Sequence, residues 1–204
     1  MKHELARLWL IGAVVLIIAA LLWSPGEIEQ PPGVLVSQPP RQVLLPEADP
    51  FRFEEFTIKP LAQFDIQARV LGIETYRLGP ESALSPVDLA LGWQHMSNTE
   101  VLNQIEITQG NRFYFWRTEQ FPIPRKQIES QSANMHLVPA NDNIARQLGD
   151  ARVGGIVSLS GKLIEVTGEE GWQWRSSLTR DDTGNGACEI IWVESVSFAE
   201  KAGV

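Results

Sequence analysis

The apolar positions of this chain fall into two regimes. The first is one uninterrupted run, LWLIGAVVLIIAALLW, over residues 8 to 23. The second is a series of short alternating stretches separated by turn residues, which occupies most of the remaining chain. At 1.5 Å per residue the first run covers roughly 24 Å, a little short of the ~30 Å hydrocarbon core of a bilayer. Ser24 and Pro25 extend it slightly, and Trp9 and Trp23 suit interfacial positions. The pattern predicts a transmembrane anchor over residues 8–23. A cleaved signal peptide is the rival, but Pro25 between Ser24 and Gly26, after bulky Leu22 and Trp23, makes a poor cleavage site.

From Ser24 to Pro50 prolines recur and no periodicity is sustained, which predicts a semi-rigid extended stalk. Its GVLV and QVLLP patches have the apolar character to dock on a domain or pair with an edge, but are read here as linker. The folded domain is expected over residues 51–198, leaving 1–7 as a cytoplasmic terminus and 199–204 as a tail.

Within the domain FDIQARVLGIETY reads as a strand, and SPVDLALGW as a short strand or a turn of helix. NTEVLNQIEI is ambiguous: Asn98 could cap a short helix, while IEITQ alternates like a strand. RFYFWR is a strand, because consecutive aromatics favour a pleated surface. PIPRKQIESQSANMHLVPA reads as loop-rich, and NDNIARQLGD as a helix capped by Asn141 or Asp142 and stopped at Gly149. GIVSLSGKLIEVTG, GWQWRSSLTR and CEIIWVESVSF form a β meander broken by TGEEG and DDTGNG. Together these predict a mainly β fold: a compact, OB-like β-barrel with one short helix, following the anchor.

Charge fixes orientation and narrows the partners. Lys2 and Arg7 precede the apolar run and Glu27 and Glu29 follow it, so the terminus stays in the cytoplasm and the domain is displayed outside the inner membrane. A net charge of −8 argues against nucleic-acid binding, which needs dense cations along the phosphates. The single cysteine permits no internal disulfide, and no Cys/His cluster has zinc-ligand spacing, so neither metal nor cofactor is expected.

The strings DLALGW, SANMHLVPA, VGGIVSLSGKLIEV and WQWRSSLTRDDTGNGACEIIWVE occur in that order over roughly residues 60–195. This chain resembles a family of uncharacterised bacterial membrane-anchored proteins that end in a TR-x-DTG-x-GAC-E motif. The resemblance implies an anchored, exported β-domain and carries no catalytic residue with it.

Candidate chemistry centres on Cys188. A thiolate nucleophile needs a base and cationic or N–H stabilisation. His136 (or His95) could be the base, Arg180 the cation and Asp182 (or Asp181) the orienting carboxylate, with the N–H groups of TGNGA as an anion-holding nest. The sortase TLxTC and L,D-transpeptidase SxGCxR patterns are both absent. Burial at the start of the last strand is the ordinary fate of such a cysteine and is favoured. The RDDTGNG loop lacks an EF-hand frame, and Ser176 and Ser177 lack a G-x-S-x-G elbow.

Asn134 and His136 flank Met135, so they point to one side of an extended segment and either hold a loop or line a polar pocket. Arg112, Trp116 and Arg117 set an aromatic platform beside cations, which suits a polymer or protein surface, although core packing of that strand is favoured. The expected function is a membrane-anchored binding module for an envelope protein partner. The alternative is a cysteine-dependent envelope enzyme, hydrolase or transpeptidase-like, using Cys188 and His136.

Overall fold

A computed structural model of the chain describes residues 26–179 and 188–199. The expected anchor at residues 8–23, the two termini beyond these limits, and Arg180, Asp181 and Asp182 all lie outside the described residues. Among the described residues no helix is long and apolar enough to cross a membrane.

The domain is mainly β. Its strands are β1 (Arg41–Leu44), β2 (Phe51–Phe53), β3 (Phe56–Thr75), β4 (Val87–Gly92), β5 (Glu106–Gly110), β6 (Phe113–Arg117), β7 (Ser132–Pro139), β8 (Ile156–Thr167), β9 (Gln173–Arg175) and β10 (Glu189–Ala199). The described helices are all short: α1 (Pro80–Leu84), α2 (Thr99–Leu102), α3 (Arg125–Ser130) and α4 (Asp142–Leu148). Eight strands share one sheet, and β5 and β6 form a second. Pairing runs β3–β4–β7–β10–β8 and returns from β8 to β3, with β7–β10 the parallel contact. The ring is uneven: β3 and β8 pair from Thr57↔Thr167 to Arg69↔Ile156, while β7 and β10 pair only from Met135↔Glu189 to Pro139↔Val193.

Bulges decide which face each strand buries. On β3 the register slips between Pro60 and Ala62, inserting Leu61 as an extra residue. Since side chains alternate with a period of two, one inserted residue exchanges the faces. Phe56 and Ile58 therefore join Ile164, Val166 and Trp192, whereas Ala62, Phe64 and Ile66 join the main core with Leu89, Leu137 and Ile191. Pro60 sits beside the irregularity, where a missing N–H costs the ladder least.

The stretch expected to be a stalk is laid along the domain instead, a correction with a legible cause. Its prolines fall between three short proline-free stretches, and each stretch docks. Ile28 N donates to Val153 O and Gln30 Nε2 to Gly154 O, both at 2.8 Å. Val36 is buried in the main core, its N–H donating to Ser97 Oγ and its carbonyl accepting from Gln94 N. Arg41–Leu44 then becomes β1, antiparallel to β3. Leu45 N extends the contact to Leu61 O.

The connection from β4 to β7 carries most of the irregular structure. Asn98 Oδ1 accepts from Glu100 N, so NTEVLNQIEI is both things in turn, a capped helix and then β5. The loop-rich reading of residues 122–140 is corrected: α3 and β7 occupy it, and β7 is almost wholly buried. RFYFWR is a strand but not a layer between two others. β5 and β6 stand apart as a hairpin over the outer face of the ring, with Phe113 and Phe115 37% and 56% exposed. Its turn residues Asn111 and Arg112 have φ of 52° and 68°, the left-handed pair that a two-residue hairpin turn needs. The helix expected at 141–150 forms as α4, with Asn141 Oδ1 accepting from Asn143 N and Ile144 N.

Candidate functional site: a buried carboxylate and the groove beside it

β4 reads VDLALG and is buried at every position, including Asp88. Its neighbour β7 sets His136 directly opposite Asp88 and Asn134 opposite Ala90. Cross-strand partners share a face, so carboxylate, imidazole and amide gather on the outer side of the ring. The hairpin turn supplies the cation from above. Arg112 Nη1 donates to Asp88 Oδ1 at 2.8 Å and to Ser85 O at 2.9 Å. Its guanidinium carbon lies 3.6 Å from the centroid of the Tyr76 ring.

Amides complete the cluster. Asn134 Nδ2 donates to Asp88 Oδ2 at 3.2 Å and to Arg112 O at 3.0 Å, while Asn134 Oδ1 accepts from Gln109 Nε2 at 2.7 Å. Gly72 on β3 makes the space, because a Cβ there would meet Gln109 Oε1 at 2.4 Å. His136 Nδ1 is 2.8 Å from Asp88 Oδ2, yet its N–H is not aligned for a hydrogen bond and the contact is one of proximity. The imidazole lies against Trp174, centroids 4.7 Å apart. An ionised carboxylate removed from water costs several kcal/mol unless paired, and these partners are what makes Asp88 tolerable in the strand. Burial, and then the Asp88 charge, push the Tyr76 hydroxyl above its usual pKa, against the donated Arg112 N–H.

A groove of about 550 Å³ opens beside this cluster, along the side of β6 that faces away from β5. Tyr114 and Trp116 line it with Ser132, Ala133, Asn134 and Cys188, and Trp116 lies against both Phe121, ring centroids 6.1 Å apart, and Arg125, whose guanidinium carbon is 5.7 Å from the Trp116 ring centroid. Cys188 is half-buried, with Sγ 4.0 Å from Arg112 O. Ser132 Oγ donates to Ile128 O, which leaves Tyr114 Oη as donor in its 2.8 Å bond to Ser132 Oγ. Burial raises the Tyr114 pKa.

Of the residues singled out in the sequence, Arg112, Asn134 and His136 are brought together. Trp116 and Arg117 line the groove nearby, Arg117 with an exposed side chain that pairs with Glu106 at 2.8 Å. The preference for packing the aromatic strand in the core holds for one face only: Trp116 packs against the buried cluster of Met96, Val101, Ile105 and Ile128, while Phe113 and Phe115 are exposed. Cys188 is not the fully hidden residue favoured above, and it stands just before β10 rather than within it. His95 is exposed, and Ser176 and Ser177 are buried. Sequence reasoning missed Asp88, although one signal was available: a single acid in an otherwise apolar strand must have a partner. Tyr76, Gln109 and Trp174 carried no comparable mark. No protein-family model, curated protein or solved structure matches this chain.

Proposed function

We propose that this chain is a single-pass envelope protein whose β-domain binds a protein partner in the groove beside β6. In this reading residues 8–23 anchor it in the inner membrane, as in the anchored bacterial family whose closing motif it resembles. The observation that carries the reading is the fixed hairpin. Two half-exposed phenylalanines stand on a strand whose turn is held by a buried carboxylate, so the groove is formed before any ligand arrives. We also read the ring as OB-like: a parallel β7–β10 contact and a helix between β7 and β8 support that description. The groove then lies over the strand face that OB barrels use for ligands. The net charge of −8 disfavours nucleic acid in that role.

The test is a photo-crosslinking residue at position 113, which lines the same groove, in intact cells, with capture identified by mass spectrometry. One dominant envelope protein, lost on Phe115→Asp, supports the reading. Capture unaltered by Phe115→Asp, or full-length chain recovered as a soluble cytosolic species, overturns it.

One observation favours a second reading, a cysteine-dependent enzyme. The parallel register sets Glu189 beside Met135, which places Cys188 next to Asn134 and diagonal to His136. Asp88 would then orient the imidazole in the place first considered for Asp182. Fast alkylation of Cys188 in the folded chain, with loss of phenotype in Cys188→Ser, supports this enzyme; an intact phenotype in that variant removes it.

A further inference from the structure

The chain joins the domain almost at once after its apolar run. Arg152 Nη2 donates to Gly26 O at 2.9 Å, and Ile28 N donates to Val153 O at 2.8 Å. The loop that receives them is itself fixed to β3: Gly154 N donates to Val70 O and Val70 N to Gly155 O, both at 2.8 Å. Ala199, where β10 ends, lies at the same place, since a Cβ on Gly155 would meet Ile28 Cδ1 at 3.3 Å and Ala199 O at 3.5 Å. One end of the ring therefore gathers Gly26, the loop between α4 and β8, and the end of β10.

Chain length brings lipid to that end. Ser24 and Pro25 alone stand between Trp23 and Gly26, so the chain from Trp23 to Gly26 reaches at most about 11 Å. Headgroups occupy roughly 5–8 Å on each side of the hydrocarbon core. The apolar run is shorter than that core, which draws Ser24 and Pro25 toward the lipid. The tether left over is a few ångströms, and the surface around Gly26 has no room to swing clear of the membrane.

Charge is not what would hold it there. Glu27, Glu29 and Asp150 are exposed at this end, and Arg146 stands in the last turn of α4 just before Asp150. Anionic headgroups are recruited by clusters of several Lys and Arg, and this mixture of signs is no such cluster.

Resting on the anchor reading above, we infer that the end of the ring carrying Gly26, Asp150 and Arg152 lies against the lipid headgroups. The short tether imposes the contact, and no affinity for a particular lipid is needed. The β2–β3 turn at Glu54 and Glu55 is then at the far end, because β3 carries the chain from Arg69 to Thr57 over as much as roughly 40 Å. The domain stands on the bilayer in one orientation and is not raised above it on a stalk.

The probe is the full chain in phosphatidylcholine vesicles that contain some lipid with a nitroxide on its headgroup. Dansylalanine at position 150 should lose most of its emission to the nitroxide, and at position 55, exposed in the β2–β3 turn, it should lose little. Added phosphatidylglycerol or salt should change neither result. About twenty Gly and Ser residues inserted between Pro25 and Gly26 reach roughly 25 Å on average and should relieve the quenching at position 150. A chain that floats with the vesicles yet is quenched equally at both positions refutes the inference and leaves the anchor intact. Quenching at position 150 that needs phosphatidylglycerol, or that survives the insertion, refutes it in the same way. A chain that does not float with the vesicles removes the anchor, and the inference with it.

Discussion

Arg112 Nη1 and Asp88 Oδ1 meet at 2.8 Å, although one comes from the turn of a largely exposed hairpin and the other from a strand with no exposed position. A two-stranded hairpin is marginal by itself. This contact, with Asn134 and Gln109 beside it, makes β5–β6 a fixed part of the domain. A well-packed apolar pair would hold the strands at least as firmly. The ion pair adds direction, because the bonds to Asp88 and Ser85 O fix the angle at which the turn meets the sheet.

Removing the cation should therefore be costly. Arg112→Ala leaves Asp88 buried with only amide and imidazole neighbours, and the expected loss is about 3 kcal/mol, at the low end for breaking a buried pair. Asp88→Ala should cost a similar amount, and the double variant less than the sum of the two. Urea unfolding of all four proteins gives the coupling energy. A cost below about 1 kcal/mol for Arg112→Ala would show that the hairpin is held by something else.

The two tyrosines of the chain are Tyr76 and Tyr114, and both ionise above the usual value of 10.0 because burial disfavours the phenolate. Each folded pKa thus exceeds its unfolded one, so the folded chain keeps its phenolic protons where the unfolded chain loses them. The stabilisation is fully present below about pH 10 and is lost as the pH rises through the folded values. Absorbance titration of phenolate should show both transitions displaced upward in the native protein and merged near the ordinary value in urea. A tyrosine titrating normally in the native state would contradict its burial.

How much of this was legible in the sequence depended on whether the cause was local. The α4 cap was readable because Asn141 bonds to its own next turn, and β8 and β10 because alternation is a property of one strand. The face of β3 was not: the bulge at Leu61 is visible only against β8. Residues 26–45 misled because prolines suggest a free chain, while the buried partners of Ile28 and Val36 lie far along the sequence. At the site, Asn134 and His136 share a face by simple alternation, and Arg112 was read for its neighbours Phe113 and Trp116. That Asp88 joins them depends on the β4–β7 register and on where the hairpin lands, and neither is written in any short stretch.

Gly154 tests whether the docked N-terminal stretch belongs to the fold. Its φ is +86°, which alone costs an L-residue roughly 1–2 kcal/mol. A Cβ there would also lie 2.1 Å from Ile28 O, a backbone atom that moves only if the stretch moves. Gly154 O further accepts the Gln30 amide that helps hold it. Gly154→Ala is therefore expected to lift residues 26–30 from the sheet, cost more than the φ strain alone, and speed proteolysis between Gly26 and Leu45. Gly110→Ala is the control, since a Cβ at that position meets nothing within 4 Å. Equal and rapid cleavage of the parent protein, Gly154→Ala and Gly110→Ala would return this stretch to the role of a stalk.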